Sequence, residues 1–64
     1  MNRLQKIQFI RTNHQKLYKQ IQEEIPSITE VNWVYSNEEK ILYNNIVEEY
    51  CKAYNLSLKN MLVL

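Results

Sequence analysis

Two side chains of this sequence, His14 and Cys51, are of the types that form a catalytic pair. They are the only histidine and the only cysteine in the chain. A cysteine thiol activated by a histidine base is found in many hydrolases, but such enzymes also need an oxyanion hole and a concave pocket. A chain of 64 residues without glycine offers little from which to build them. The sequence therefore predicts no enzyme and no catalytic residue, with His14 packed or hydrogen-bonded and Cys51 a small buried residue.

The acidic residues do not have the spacing of a metal or acid–base site. Six of the seven glutamates form adjacent pairs, at 23–24, 38–39 and 48–49, whereas carboxylates that cooperate on a helix lie three or four residues apart. The Glu-x-x-His spacing of carboxylate-bridged metal sites is missing, and one histidine with one cysteine is too few for structural zinc. Without glycine there is no Gly-rich phosphate loop. We expect no metal ion and no cofactor.

Aromatic and outward-facing apolar residues point to binding of another protein chain. Five tyrosines and one tryptophan are many for 64 residues, and both types suit interfaces because they combine a large apolar body with a polar tip. Phe9 and Ile41 fall roughly opposite the apolar stripe of their own predicted helices. The candidate partner-binding residues are Phe9, Trp33, Tyr35, Ile41, Tyr43, Tyr50 and Tyr54. For the tyrosines on the inner helix face, filling the core is an equally good interpretation.

The charge of the chain is divided unevenly along its length. The net charge is +1, but the first 22 residues carry +5 without an acidic residue and the rest carries −4. The basic residues of the first part are Arg3, Lys6, Arg11, Lys16 and Lys19. They are the candidate contacts of an alternative function, a small DNA- or RNA-binding transcriptional regulator. At 100° per residue they spread around much of one helix, which favours protein binding over that alternative.

The first predicted helix covers residues 2–25. Ile7, Ile10, Leu17 and Ile21 recur at steps typical of an amphipathic helix. Pro26 ends it, because the residue before a proline is pushed out of the α region.

The next segment, residues 29–35, permits two interpretations. Ser27 and Glu30 have the spacing of a capping box for a short helix, which we slightly prefer, whereas Thr29, Val31, Trp33 and Tyr35 alternate as in a strand.

The second predicted helix covers residues 37–54. Ser36 and Glu39 have the spacing of a capping box at its start, and Asn55 is a natural stop because asparagine tolerates the left-handed conformation. The apolar tail that follows must pack against the rest, either as a third short helix capped by Ser57 or as a strand over residues 58–64.

Together these elements predict an all-α fold, a small antiparallel helical hairpin with a short third helix or tail, in a single domain over residues 1–64. The alternative is an α+β fold with a minimal two-stranded β-α-β element from residues 29–35 and 58–64. A chain this short has a marginal core, so self-association is expected.

Other features of the sequence indicate the cellular compartment and the kind of organism from which the protein comes. A lone thiol, the absence of a signal-peptide pattern and the lack of a membrane-length apolar run predict a cytoplasmic protein without a membrane partner. The abundance of Asn, Ile, Lys and Tyr is typical of AT-rich coding sequences, as in some bacteria, their mobile elements and phages. We expect a non-enzymatic regulatory or inhibitory protein that binds another protein chain, as a homo-oligomer, with a larger host protein, or both.

Overall fold

The computed structural model describes residues 1–30 and 32–64. They form the helices α1 (Arg3–Asn13), α2 (Gln15–Glu24), α3 (Asn37–Ala53) and α4 (Lys59–Leu62), with a 3-10 helix at Pro26–Thr29 between α2 and α3. These residues include no strand, so the fold is all-α and the α+β alternative is wrong. Val31, which that alternative placed on a strand face, lies outside the described residues.

The predicted first helix is interrupted at His14. That residue has φ −136° and ψ 66°, outside the helical region, and it both ends α1 and begins α2. The reason lies in three consecutive residues of low helix propensity, Thr12, Asn13 and His14. The Asn13 side-chain amide also donates to the Phe9 carbonyl over 3.2 Å. The prediction of one continuous helix is wrong because these residues allow the chain to bend.

Side-chain caps fix where α1 and α3 begin. At α3 the Glu39 N–H donates to the Ser36 hydroxyl over 3.2 Å and the Ser36 N–H donates to the Glu39 carboxylate over 3.0 Å. This is the predicted capping box. The same reciprocal pair joins Asn2 and Gln5 at α1, over 2.9 and 3.0 Å. Four backbone N–H groups that have no partner within their helices are thereby satisfied.

The end of α3 is a left-handed turn, as predicted for Asn55. This residue has φ 54°, and the Leu56 N–H donates to the Cys51 carbonyl over 2.8 Å. That bond belongs to the Schellman motif, which satisfies a terminal carbonyl. The predicted Ser57 cap of the following helix is wrong, because Leu58 occupies the N-cap position of α4 and makes no side-chain capping bond.

The segment after α2 begins with proline instead of a serine cap. Pro26 stands at the first position of the 3-10 helix, where its missing N–H costs nothing. The Ser27 side chain makes no capping bond, and Glu30 donates its backbone N–H to the Ser27 carbonyl over 3.0 Å. The preferred short helix is thus present, but the capping box predicted for Ser27 and Glu30 is not formed.

The core is shared by every element of the described chain. Helix α2 packs antiparallel on α3, while α1 contacts α2 and α4. The C-terminal tail is fixed by two hydrogen bonds, from the Lys6 ammonium to the Val63 carbonyl over 2.6 Å and from the Leu64 N–H to the Asn44 side chain over 2.8 Å. The buried core residues are Ile7, Ile10, Leu17, Ile21, Ile25, Ile28, Trp33, Tyr43, Val47, Cys51 and Leu62.

Candidate protein-binding surfaces

The seven predicted partner-binding residues do not form one surface. Trp33 and Tyr43 belong to the core, with 4% and 0% of their surface exposed. Phe9, Tyr35 and Tyr50 are half-buried and pack against the core. Ile41 and Tyr54 are exposed, at 60% and 53%. Trp33 and Tyr43 are out of reach of a partner in this fold because they are buried. Burial of their large apolar rings in the core is favourable.

Trp33 connects the loop before α3 to two other parts of the molecule. Its indole N–H donates to the Glu39 carboxylate over 3.3 Å, and its ring lies 5.6 Å from that of Tyr35. The Arg3 guanidinium stands 5.9 Å from the indole centre, a cation–π contact. The Ser36 backbone N–H, helped by the indole, holds the pKa of Glu39 below its usual value of 4.5. Trp33 is therefore a structural anchor.

Tyr43 is the one residue of the described core with a buried side-chain polar atom lacking a hydrogen-bond partner. Burial raises the pKa of its hydroxyl well above the usual value, since the phenolate would be far from water. Its ring fills the space between helices, which confirms the core interpretation for this tyrosine.

His14 lies within a row of aromatic rings at the bend between α1 and α2. Its ring centre is 5.7 Å from that of Phe9 and 5.9 Å from that of Tyr50, which in turn lies 4.7 Å from Tyr54. The Tyr50 hydroxyl is 3.5 Å from His14 Nδ1, at the outer limit of a hydrogen bond. The histidine is packed, as the sequence predicts.

His14 and Cys51 are not assembled as a catalytic pair. Within the described residues no hydrogen bond joins them, and Cys51 is buried, with 4% of its surface exposed. Cys51 borders a depression lined by charges of both signs, where Glu48 and Lys59 form an ion pair of 3.7 Å. Across residues 1–30 and 32–64 no group of three or more His, Cys, Asp or Glu side chains could hold a metal ion.

A groove between α2 and α3 carries a concentration of negative charge. We call it the acidic groove; it measures about 290 Å³ and is lined by Gln20, Glu23, Glu24, Asn45, Ile46 and Glu49. Ile46 is half-buried between the polar residues. No lysine or arginine is among the lining residues. The sequence showed only that these glutamates lack the spacing of a metal or acid–base site. It did not reveal the groove, because the two walls of the groove come from helices that meet only in the folded chain.

A second groove follows the outer side of α1 and has no charged side chain. We call it the outer α1 face; it is lined by Met1, Gln5, Gln8, Phe9, Thr12 and Asn13. Phe9 is only half exposed, against the prediction of full exposure, because its ring packs on His14 at the bend. Ile41, by contrast, is exposed on α3 as predicted.

The five basic residues of the nucleic-acid alternative fall into two groups. Arg3 and Lys6 are half-buried, held by Trp33 and by the Val63 carbonyl. Arg11, Lys16 and Lys19 are exposed, although the Arg11 guanidinium also lies 5.9 Å from the ring centre of Tyr18.

Comparisons of the chain with protein-family models, with curated proteins and with solved structures give no match. Within the part of the chain that the structure describes, no helix combines the length and the apolar character needed to cross a membrane.

Proposed function

We propose that this chain is a non-enzymatic regulatory or inhibitory protein that acts by binding another protein through the acidic groove. The observation that carries this proposal is the combination of a half-buried isoleucine, Ile46, with three carboxylates and no cation along one groove. We place the protein in the cytoplasm, where a lone thiol such as Cys51 stays reduced.

The composition of the groove defines the partner it would accept. An apolar floor gains free energy by covering an apolar side chain, and the carboxylates on either side select flanking lysines or arginines. Ile41, exposed one turn before Asn45 on the same side of α3, extends the apolar surface along the helix. A partner with one apolar and one basic helix face fits this pattern.

The size of the groove favours a side chain of a protein over a small molecule. Its volume of about 290 Å³ lies at the lower limit of small-molecule sites, which are roughly 300–1,000 Å³ and usually enclosed. This groove lies between α2 and α3, and five of its six lining residues are exposed to solvent. A turn of helix from another chain can therefore lie along it.

The same charges speak against the nucleic-acid alternative. The acidic groove repels phosphates, and three of the five basic residues, Arg3, Lys6 and Arg11, contact other parts of the chain. Only Lys16 and Lys19 are exposed without such a contact among the described residues.

The test uses a synthetic amphipathic helix with leucines on one face and lysines on the other, titrated into the labelled protein and followed by NMR. We expect shift changes centred on Ile46 and Glu49. The double substitution Glu24→Gln and Glu49→Gln should weaken binding by about tenfold, because two carboxylates facing the peptide lysines are lost. A matched control, Glu30→Gln with Glu38→Gln, removes two exposed glutamates outside the groove.

Equal weakening by both double variants would contradict the proposal, since binding would then depend only on net charge. A DNA duplex provides the other arm of the test. Binding of the duplex that falls steeply with added salt and is lost on Lys16→Ala with Lys19→Ala would support the transcriptional-regulator alternative instead.

A further inference from the structure

We infer that the acidic groove binds a second copy of this chain, with the two α2 helices antiparallel across a twofold axis at Gln20. The inference rests on the proposed function, because it names the partner that the groove binds. The observation that carries it is the arrangement of opposite charges along the groove side of α2.

The pair of helices α2 and α3 has one covered side and one open side. Helix α1 packs on α2, and α4 packs on α3 and on α1. The acidic groove is lined by residues of α2 and α3 alone. A layer of helices is stable when another layer covers its apolar surface. A second pair of α2 and α3 helices, placed over the groove, would complete a four-helix arrangement.

The groove side of α2 carries both signs of charge, separated along the helix. Lys16 precedes Gln20 by four residues, and Glu24 follows Gln20 by four. The three side chains therefore lie on one face at successive turns, and all three are exposed. Lys19 and Glu23 repeat the order of a cation followed by a carboxylate. This side of α2 is thus basic in its first half and acidic in its second.

Antiparallel pairing turns this separation into complementarity. A twofold axis at Gln20 reverses the direction of α2 in the second copy, so Lys16 of one copy faces Glu24 of the other. The same contact occurs a second time with the roles of the copies exchanged. Lys16 and Glu24 cannot pair within one chain, because they are about 12 Å apart along the helix. The charge order of α2 is therefore satisfied between copies and not within one.

The same axis brings the two α3 helices together. Ile46 lines the groove with Gln20, so the two Ile46 side chains lie near the axis and cover each other's exposed surface. Asn45 and Glu49 are one turn apart on α3, and antiparallel α3 helices place the Asn45 amide near the Glu49 carboxylate of the other copy, a donor near an acceptor. An apolar centre with a polar rim is typical of protein interfaces.

The experiment is sedimentation velocity of the full chain from low micromolar to millimolar concentration, at low and high salt. The length of α2, ten residues or about 15 Å, predicts a weak dimer that forms only at the higher concentrations. Added salt should weaken it, because the Lys16–Glu24 contacts are exposed to solvent. Lys16→Glu and Glu24→Lys should each raise the dissociation constant by about tenfold at low salt, since each replaces two attractive contacts by two repulsive ones.

A mixture of the two variants gives the sharpest test. In a heterodimer of Lys16→Glu with Glu24→Lys, one contact joins the two substituted residues and the other joins the two native ones, and both are attractive. The mixture should therefore dimerise at concentrations where each variant alone is monomeric. The double variant Lys16→Glu/Glu24→Lys should regain homodimerisation for the same reason. Recovery in the mixture cannot come from a contact within one chain.

Matched controls use charge changes elsewhere on the surface. Lys40→Glu and Glu30→Lys alter net charge in the same way at exposed positions outside the groove, and each should dimerise like the wild type. Circular dichroism confirms that every variant is folded. A wild type that stays monomeric throughout, no recovery in the mixture, or equal weakening by the control variants would each overturn the inference.

The leucine–lysine helix that tests the proposed function separates the two conclusions. If the wild type stays monomeric but binds this helix at Ile46 and Glu49, the second copy is not the partner and the proposed function stands. If the wild type dimerises with the predicted charge pattern and does not bind the helix, the groove serves self-association alone. Binding of the helix should dissociate the dimer, because both occupy the same groove.

Discussion

Individual buried aromatic residues differ in whether their polar tips are satisfied. The Trp33 N–H reaches the Glu39 carboxylate, whereas the Tyr43 hydroxyl has no partner among the described residues. A buried polar group without a hydrogen bond costs about 1–3 kcal/mol. Trp33 therefore stabilises the contact between the loop before α3 and α3 itself. Tyr43 combines favourable ring packing with an unfavourable buried hydroxyl.

The substitution Tyr43→Phe should raise the free energy of unfolding by about 1 kcal/mol, because it removes the unpaired hydroxyl and keeps the ring. Urea denaturation measures this change. Tyr54→Phe makes the same chemical change at a residue that is 53% exposed, and it should alter stability by less than about 0.5 kcal/mol. A marked loss of stability in Tyr43→Phe would mean that the hydroxyl is bonded, for example to a buried water.

Local sequence features determine where the helices of this chain begin and end. Capping boxes begin α1 and α3, a proline follows α2, and the left-handed Asn55 ends α3. Each of these features depends on residues within a few positions of the helix end. The bend at His14 is local in the same sense, since three residues of low helix propensity precede α2.

Asn55 offers a direct test of the left-handed turn. Asn55→Gly should leave stability unchanged or slightly raised, whereas Asn55→Ala should cost about 1 kcal/mol, because a Cβ atom is strained at positive φ. Thermal unfolding followed by circular dichroism measures both. Asn45→Ala, the same change at an exposed position within α3, should not destabilise the protein, since alanine favours helix. If Asn55→Ala were equally harmless, the turn would not depend on this conformation.

At the scale of the whole molecule, the bend at His14 allows α1 and α2 to pack on different parts of one core in the described part of the chain. Helix α1 is turned toward α4, while α2 pairs with α3. The core consequently contains isoleucines from both halves of the predicted first helix, such as Ile10 and Ile21, each fully buried. The isoleucine of α3 that lies outside this arrangement, Ile41, is left 60% exposed.

Two matched substitutions test the assignment of Ile21 to the core and of Ile41 to the surface. Ile21→Asp should unfold the protein, because it buries a charge without a partner. Ile41→Asp should change the free energy of unfolding by less than about 1 kcal/mol, as expected for an exposed position. The helical circular-dichroism signal and the melting temperature distinguish the two outcomes. Loss of the fold in Ile41→Asp would place that residue in the core and remove it from the partner surface.

Several features of this protein followed from the sequence alone. The all-α class, the stop at Pro26, the capping box of Ser36 with Glu39 and the turn at Asn55 were all predictable, because their causes lie within a few neighbouring residues. The apolar periodicity of the first predicted helix also located four core residues, Ile7, Ile10, Leu17 and Ile21.

Tertiary structure decided the rest. Periodicity places Ile41 opposite the apolar stripe, but it cannot decide whether Trp33 and Tyr43 fill the core or bind a partner, because that depends on which helix faces meet. The acidic groove needs α2 and α3 side by side, and the basic residues Arg3 and Lys6 of α1 are held by Trp33 and Val63. The groove and these contacts join residues far apart in the chain, and such contacts leave no local pattern in the sequence.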